Sequence, residues 1–241
     1  ISGVLNSNNI IHATEVKNGV SVTTVQPGIG NGQGTGTVSP SILFDSRILL
    51  DNGTAETAQT ALLSLNTGMT NSQIQFASNA GIIVNDGPNT GNGSAIGDIA
   101  LASDYVRFDG TLSAKTIGAI TLTGGKGIAS NADTGVSFTG SILGNTVGAI
   151  TGSASEGNVV FAPTTLTGLF TNNTVTGTTP HANVAGITLT TAGTNNGGDI
   201  TLGNPSQTYN ANIGDVTLTA GHKLFLSQAG TVIDNPGNVA I

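Results

Sequence analysis

The sequence predicts an all-β protein: a right-handed parallel β-helix (β-solenoid) with an amino-terminal cap and irregular extra-coil hairpins or loops. Three observations predict it. The first is a phrase, TIGAITLTGG at 116–125, that returns as IGDIALAS (96–103), VGAITGS (147–153), VAGITLTT (184–191), GDITLGN (198–204) and IGDVTLTA (213–220). The second is composition. The 241 residues include 36 Gly and no Cys or Trp, and only 8% are charged, against roughly 25% in an ordinary domain. The third is punctuation: short apolar–Thr alternations are cut by GGKG (124–127), NNGG (195–198) and DNPGN (234–238), residues that suit tight turns.

Alternation comes first because it assigns faces. In Ile120-Thr121-Leu122-Thr123, Ile187-Thr188-Leu189-Thr190 and Val216-Thr217-Leu218-Thr219, period two sends the aliphatics to one side and the threonines to the other. The aliphatics are expected in the core and Thr121, Thr188 and Thr217 in water. Aromatics make up 4% of the chain, so a core of small β-branched side chains in thin layers is expected, without large aromatic filling. Phrases starting at 96, 117, 147, 184 and 213 lie at distances suited to stacked repeats of roughly 20–45 residues. Short strands and few aromatics argue against a sandwich or barrel.

One continuous domain is expected, with residues 1–90 forming the cap and first coils and 91–241 the coils of the helix. An open coil end exposes unpaired strand edges, which is the reason to expect a cap. Within 1–90, TAETAQTALLSL at 54–65 has Ala58, Ala61, Leu62 and Leu65 on one helical face, and a short helix is expected there.

Charge excludes some functions. Six basic and 13 acidic residues give a net charge of −7. Lys17, Arg47, Arg107, Lys115, Lys126 and Lys223 are scattered, whereas nucleic acid or an anionic membrane needs clustered basic residues. No apolar run approaches the roughly 20 residues of a membrane-spanning helix. The chain starts at Ile1 without a signal-peptide pattern and is read as a monomeric fragment of a longer protein. The absence of Cys fits a protein exported unfolded through an oxidising compartment.

The order of segments carries a resemblance. NNIIHATEVKNGVSVTTVQP (8–27) is followed by ILFDSRILLDNGTA (42–55), SQIQFASNAGIIVNDG (72–87) and IGDIALASDYVRFDGTLSAKTIGAITLTGG (96–125). The series resembles the amino-terminal secretion domain of filamentous-haemagglutinin-like exoproteins, the two-partner secretion family, best across Ile99 to Leu122. Where that family has Asn-x-Asn-Gly-Ile, this chain has Ser78-Asn79-Ala80-Gly81-Ile82. Large autotransporter passengers are the second resemblance, through composition and GTVIDNPGNVAI at the carboxyl end. The resemblance implies a right-handed β-helix that is secreted or held at the bacterial cell surface. It implies an outer-membrane transporter as partner during export, and attachment to a host-cell surface or glycan receptor.

Catalytic chemistry finds little purchase. The runner-up function is a polysaccharide-binding or polysaccharide-processing β-helix enzyme, which needs carboxylates grouped on one face. The candidates are Asp98, Asp104, Asp109 and Asp133 beside Arg107, with Asp199 and Asp215 at similar places in the repeated phrase. Solvated turn positions before strands are the simpler account of them and the one adopted. His12, His181 and His222 are far apart, with no metal-ligand spacing. Gly124-Gly125-Lys126-Gly127 lacks the Asp of a calcium nonapeptide, and Gly197-Gly198-Asp199 stands alone. No Gly-x-Ser-x-Gly or phosphate-loop pattern is present. Asn52, Asn92 and Asn172 head sequons that chance supplies in Asn-rich sequence. No catalytic residue, cofactor or metal is therefore expected. Thr-x-Thr pairs at 121/123, 165/167, 188/190 and 217/219 resemble the ladders of ice-binding solenoids, but their unequal intervals predict that the rows do not align.

Overall fold

The computed structural model describes residues 10–11, 20–23, 41–44, 47–51, 61–67, 72–85, 95–127, 134–168, 181–194, 197–207, 209–226 and 239–240. Those residues form 22 strands in three sheets, with no helix among them. The phenylalanine sheet has eight strands in the order β1 (Ile10–Ile11), β3 (Ser41–Phe44), β6 (Gln73–Phe76), β9 (Tyr105–Phe108), β13 (Thr134–Phe138), β16 (Asn158–Phe161), β19 (Ile200–Leu202) and β21 (Leu224–Leu226). The short sheet runs β4 (Arg47–Asp51), β7 (Gly81–Asn85), β10 (Thr111–Ser113), β14 (Ser141–Leu143) and β17 (Thr165–Thr167).

The threonine sheet runs β2 (Val20–Thr23), β5 (Ala61–Asn66), β8 (Ala95–Ala102), β11 (Thr116–Ile117), β15 (Thr146–Ala154), β18 (Ala182–Thr191), β20 (Ala211–Thr219) and β22 (Val239–Ala240). Beside β11, β12 (Ile120–Gly124) also bridges β8 and β15. Every one of these pairings is parallel. From β3 to β18 the chain visits the phenylalanine, short and threonine sheets in turn five times.

The alternation sets the core as expected. Ile120, Leu122, Ile187, Leu189, Val216 and Leu218 are all buried. Thr188 and Thr217 are exposed and Thr121 is half-buried. Like residues also stack on like. Ile99, Ile120, Ile150, Ile187 and Val216 stand in one register column, with Ile96, Ile117, Val147, Val184 and Ile213 in another. Inward residues from all three sheets form one hydrophobic cluster.

The expectation of a core without large aromatic filling fails. Five of the seven phenylalanines form one column, Phe44, Phe76, Phe108, Phe138 and Phe161. Successive ring centroids lie 4.3, 4.6, 4.9 and 5.4 Å apart. The low aromatic fraction misled because a single ring per strand, stacked on the next, fills a continuous column. Such pairs each add about 0.5–1.5 kcal/mol beyond burial. Beside this column runs Ile42, Ile74, Val106, Val136, Val159 and Ile200, at most 1% exposed.

Two further expectations change. Residues 61–66 form strand β5 rather than part of a helix. Leu63 and Leu65 are buried level with Ile99 and Leu101. The backbone partners supplied by β8 outweigh a helical spacing too short to hold a helix by itself. The rest of that segment, 54–60, lies outside the described residues. GDITLGN, which reads as another copy of the repeated phrase, belongs to a different sheet. Its strand β19 pairs with β16 and β21 in the phenylalanine sheet. Much of the cap expected over 1–90 also lies outside the described residues. Strands β3 to β7 of that region lie in the same three sheets as the later strands.

Glycine stands where successive turns between strands touch. A Cβ on Gly140 would run into the carbonyl oxygen of Gly110, which follows the neighbouring strand β9. Gly198 has φ of +97° and faces the backbone of Gly193, a conformation L side chains rarely adopt.

Candidate functional site

The charged residues weighed from the sequence fall at separate places. Asp98 is exposed on β8, where Oδ1 accepts the Ala119 N–H at 2.8 Å. Asp104 sits at the bend after β8, and its main-chain oxygen accepts the N–H groups of Gly125 and Gly127 at 3.0 and 3.1 Å. Asp109 follows β9 at the corner towards the short sheet. Its Oδ1 accepts the Thr139 hydroxyl at 2.6 Å, and its Oδ2 lies 2.6 Å from Arg107 Nε. Asp199 Oδ1 accepts the Lys223 N–H at 3.0 Å and meets His222 Nδ1 at 2.7 Å. Asp133 lies outside the described residues.

A pattern links Asp98, Asp109 and Asp199: each carboxylate accepts a hydrogen bond from a residue 21 to 30 positions later in the chain. Ala119, Thr139 and Lys223 lie beside β12, β13 and β21, the strands that pair in parallel with β8, β9 and β19. A hydrogen bond to a charged group contributes about 1.5–3 kcal/mol when sheltered, and less at exposed positions such as Asp98. Sequence similarity grouped Asp98 with Asp215, and both do lie on the threonine sheet. In register, however, Asp98 is followed by Ala119, Ala149, Gly186 and only then Asp215. Four strand spacings put their backbones about 19 Å apart. Asp199 lies on the phenylalanine side, just before β19.

Histidines and glycines are likewise dispersed. His181 is exposed at the start of β18, His222 pairs with Asp199, and His12 lies outside the described residues. Among the described residues, no three His, Cys, Asp or Glu side chains come together as a metal-binding group. The sequons at Asn52, Asn92 and Asn172 lie outside the described residues. Gly124 closes β12, and Gly127, at φ of +96°, serves the corner that follows.

Two polar features escaped the sequence reading. Thr67, Ser72 and Ser103 form a triangle of hydroxyls with sides of 2.6, 3.0 and 3.1 Å. Thr67 and Ser72 are fully buried, so the triangle ties two successive bends together without exposing a polar atom to apolar surroundings. Tyr209 is buried, and its hydroxyl donates to the Pro163 carbonyl at 2.9 Å. Burial pushes the Tyr209 phenol well above its ordinary pKa. Burial also raises that of Tyr105, with Arg107 drawing it down and Asp109 adding to the rise. No local pattern marks either feature, because apart from Thr67–Ser72 the hydrogen bonds join residues 31 to 46 positions apart.

The most regular surface is the outward side of the threonine sheet. Thr121, Thr151, Thr188 and Thr217 stand in one column, and Thr123, Ser153, Thr190 and Thr219 in the next. The rows therefore align, against the expectation drawn from unequal intervals. Extra residues are absorbed between strands and leave the register of the strands intact. The pair Thr165/Thr167 is the exception, since it lies in the short sheet. Rungs are about 4.8 Å apart and successive outward residues about 6.7 Å. The two columns contain no cation and no aromatic ring, the anchors that dominate tight interfaces.

The position that corresponds to the secretion-family motif is also placed. Ser78 and Asn79 form a turn, Ala80 is buried, and Ile82 lies in β7, level with Leu112 of β10. Compared with known proteins, the chain matches no protein-family model, no curated protein and no solved structure.

Proposed function

We propose that the three sheets are the faces of one right-handed parallel β-helix, and that the chain is an exported structural and adhesive module of a large bacterial surface protein. The right-handed sense follows the general rule for crossovers between parallel strands. On this reading the chain is a stiff segment that holds binding regions away from the cell. It is secreted or displayed at the surface, crosses with the help of an outer-membrane transporter, and contacts a host-cell surface or glycan receptor.

The observation that supports this reading most is the use of the carboxylates. Asp98, Asp109 and Asp199 each bind the next coil, which suits a load-bearing stack better than a catalytic groove. The unbroken columns from Phe44 to Phe161 support a stiff body in the same way. The resemblance of the segment order to that of two-partner secretion exoproteins is the ground for proposing this export route.

Antibody labelling of intact producing cells, with and without the transporter, tests the reading. Surface label that depends on the transporter is expected, and protein confined to the cytosol overturns export. The polysaccharide-processing alternative is tested by release of reducing ends from pectin and host-surface glycans. Release that disappears in Asp98→Asn, Asp104→Asn or Asp109→Asn replaces the structural reading with the enzymatic one.

A further inference from the structure

Strand β9 is followed at once by an Asp-Gly bond, Asp109–Gly110. Among the described residues it is the one place where Asp or Asn precedes Gly. Such a pair is prone to rearrange, because glycine puts no side chain in the way of ring closure. The Gly110 nitrogen attacks Cγ of the Asp109 carboxylic acid. The acid hydroxyl leaves as water with the amide proton, and a five-membered succinimide remains. Water then opens the ring. Attack at Cγ restores aspartate. Attack at the main-chain carbonyl leaves Gly110 joined to Cγ, which is isoaspartate.

The folded chain holds the reacting groups from several sides. Asp109 Oδ1 accepts the Thr139 hydroxyl and Oδ2 meets Arg107 Nε, so neither oxygen can leave without losing a partner. The Asp109 N–H donates to the Phe76 carbonyl at 2.9 Å, and the Gly110 carbonyl accepts the Ser141 N–H at 2.9 Å. The Thr111 N–H donates to the Ala80 carbonyl at 3.1 Å. These bonds fix the backbone on both sides of the reacting peptide, and bonds of this kind open through local or global unfolding. The product also lacks room. Gly110 is buried, and a Cβ on it would stand 2.7 Å from the Ala80 oxygen. Isoaspartate routes the chain through Cβ and Cγ, one backbone atom longer, at this same corner.

We propose that Asp109–Gly110 is a site of isoaspartate formation, open in the unfolded chain and closed by the native packing of β6, β9 and β13. Modification of the unfolded state in this way makes unfolding irreversible, so this bond records how long the chain has stayed unfolded. The proposal rests on the contacts at this corner and not on export or adhesion. Either can fail with the other intact.

Peptide mapping by mass spectrometry tests it, on the 241-residue chain incubated at physiological temperature and pH in buffer and in urea. Isoaspartate at 109 is expected to accumulate at least tenfold more slowly in buffer. Equal rates overturn the proposal. Thr139→Val and Arg107→Leu each remove one partner of the carboxylate. In buffer, with the β-sheet spectrum retained, each is expected to raise the rate at 109 at least threefold, and neither is expected to change it in urea. Wild-type rates in both folded variants overturn the protective role of these contacts. Chains aged in urea and returned to buffer give a further readout that needs no substitution. Isoaspartate at 109 is expected to be enriched at least tenfold in the fraction that fails to refold, and equal amounts in the refolded and unrefolded fractions overturn the proposal.

Discussion

The threonine sheet and the phenylalanine sheet fill their inner faces differently. In the threonine sheet, three positions per rung carry aliphatics, as in Ile117, Ile120 and Leu122 of β11 and β12, followed by Val184, Ile187 and Leu189 of β18. In the phenylalanine sheet, two positions per rung suffice, a small aliphatic such as Val106 and a ring such as Phe108. The first sheet distributes its stability over many interchangeable contacts. The second concentrates it in one stack of five rings. The threonine sheet also tolerates a gap: Gly152 stands in the Leu122–Leu189 column, where Leu189 and Val159 close in on the vacant Cβ position at 3.0 and 3.2 Å. In the described part of the aromatic column no such small residue occurs between Phe44 and Phe161.

The largest expected effect breaks the threonine sheet at its centre. Ile120→Asp places a carboxylate at a position with no exposure, and several kcal/mol of destabilisation is expected for an unpaired buried charge. A urea midpoint unchanged by this substitution contradicts the buried register of the sheet.

The next effect tests concentration against distribution. Phe108→Ala removes the ring between Phe76 and Phe138, and a loss of about 3–5 kcal/mol is expected. Ile150→Val, a one-methyl change in the threonine sheet, is expected to cost only about 0.5–1.5 kcal/mol. Similar costs for the two changes in chemical denaturation would show that the stack carries no special share.

A third prediction concerns pH and the phenols buried between sheet corners. Folding raises the pKa of Tyr209 and Tyr105, so the unfolded chain loses these protons first. Stability is then fully present below about pH 10, the unfolded value, and falls as pH rises above it. Tyr209→Phe should flatten that alkaline decline. Phenolate absorbance that rises near pH 10 while the fold stays intact counts against the burial.

The smallest effect is expected on the outward columns. Thr188→Ala changes an exposed side chain flanked by Thr151 and Thr217, and a change within about 0.5 kcal/mol is expected. A larger loss in thermal melts would mean that the hydroxyl columns help hold the coils together.

Legibility in the sequence followed the same divide. The threonine sheet was readable because Ile-Thr-Leu-Thr is a local pattern, and a slip of one residue would turn each aliphatic outward. The aromatic column was not, although Phe44, Phe108 and Phe138 recur with similar flanks, FDSR, FDGT and FTGS. Those short phrases mark a corner from which each ring is aimed, and only the pairing of β9 with β13 reveals that the rings touch. The carboxylates were legible as turn residues, as Asp104 and Asp109 are, but Asp98 lies within β8, and the partners on neighbouring strands were not legible. Asp98 and Asp215 looked equivalent because they share a phrase, yet three intervening strands separate them.

By itself the sequence determined that the chain is β-rich, which residues of each phrase face inward, and where the chain turns. These follow from geometry within one strand, where side chains alternate whatever lies beside it. Tertiary structure alone decided which sheet each strand joins, as GDITLGN and ALLSLN show. It alone decided the register that aligns Thr121 with Thr151, Thr188 and Thr217 across unequal intervals. The physical reason lies in the cost of loops. Doubling the length of a flexible connection costs only about 0.6 kcal/mol, less than one well-packed residue contributes. Spacing along the chain can therefore vary from coil to coil while the buried columns keep the strands in step.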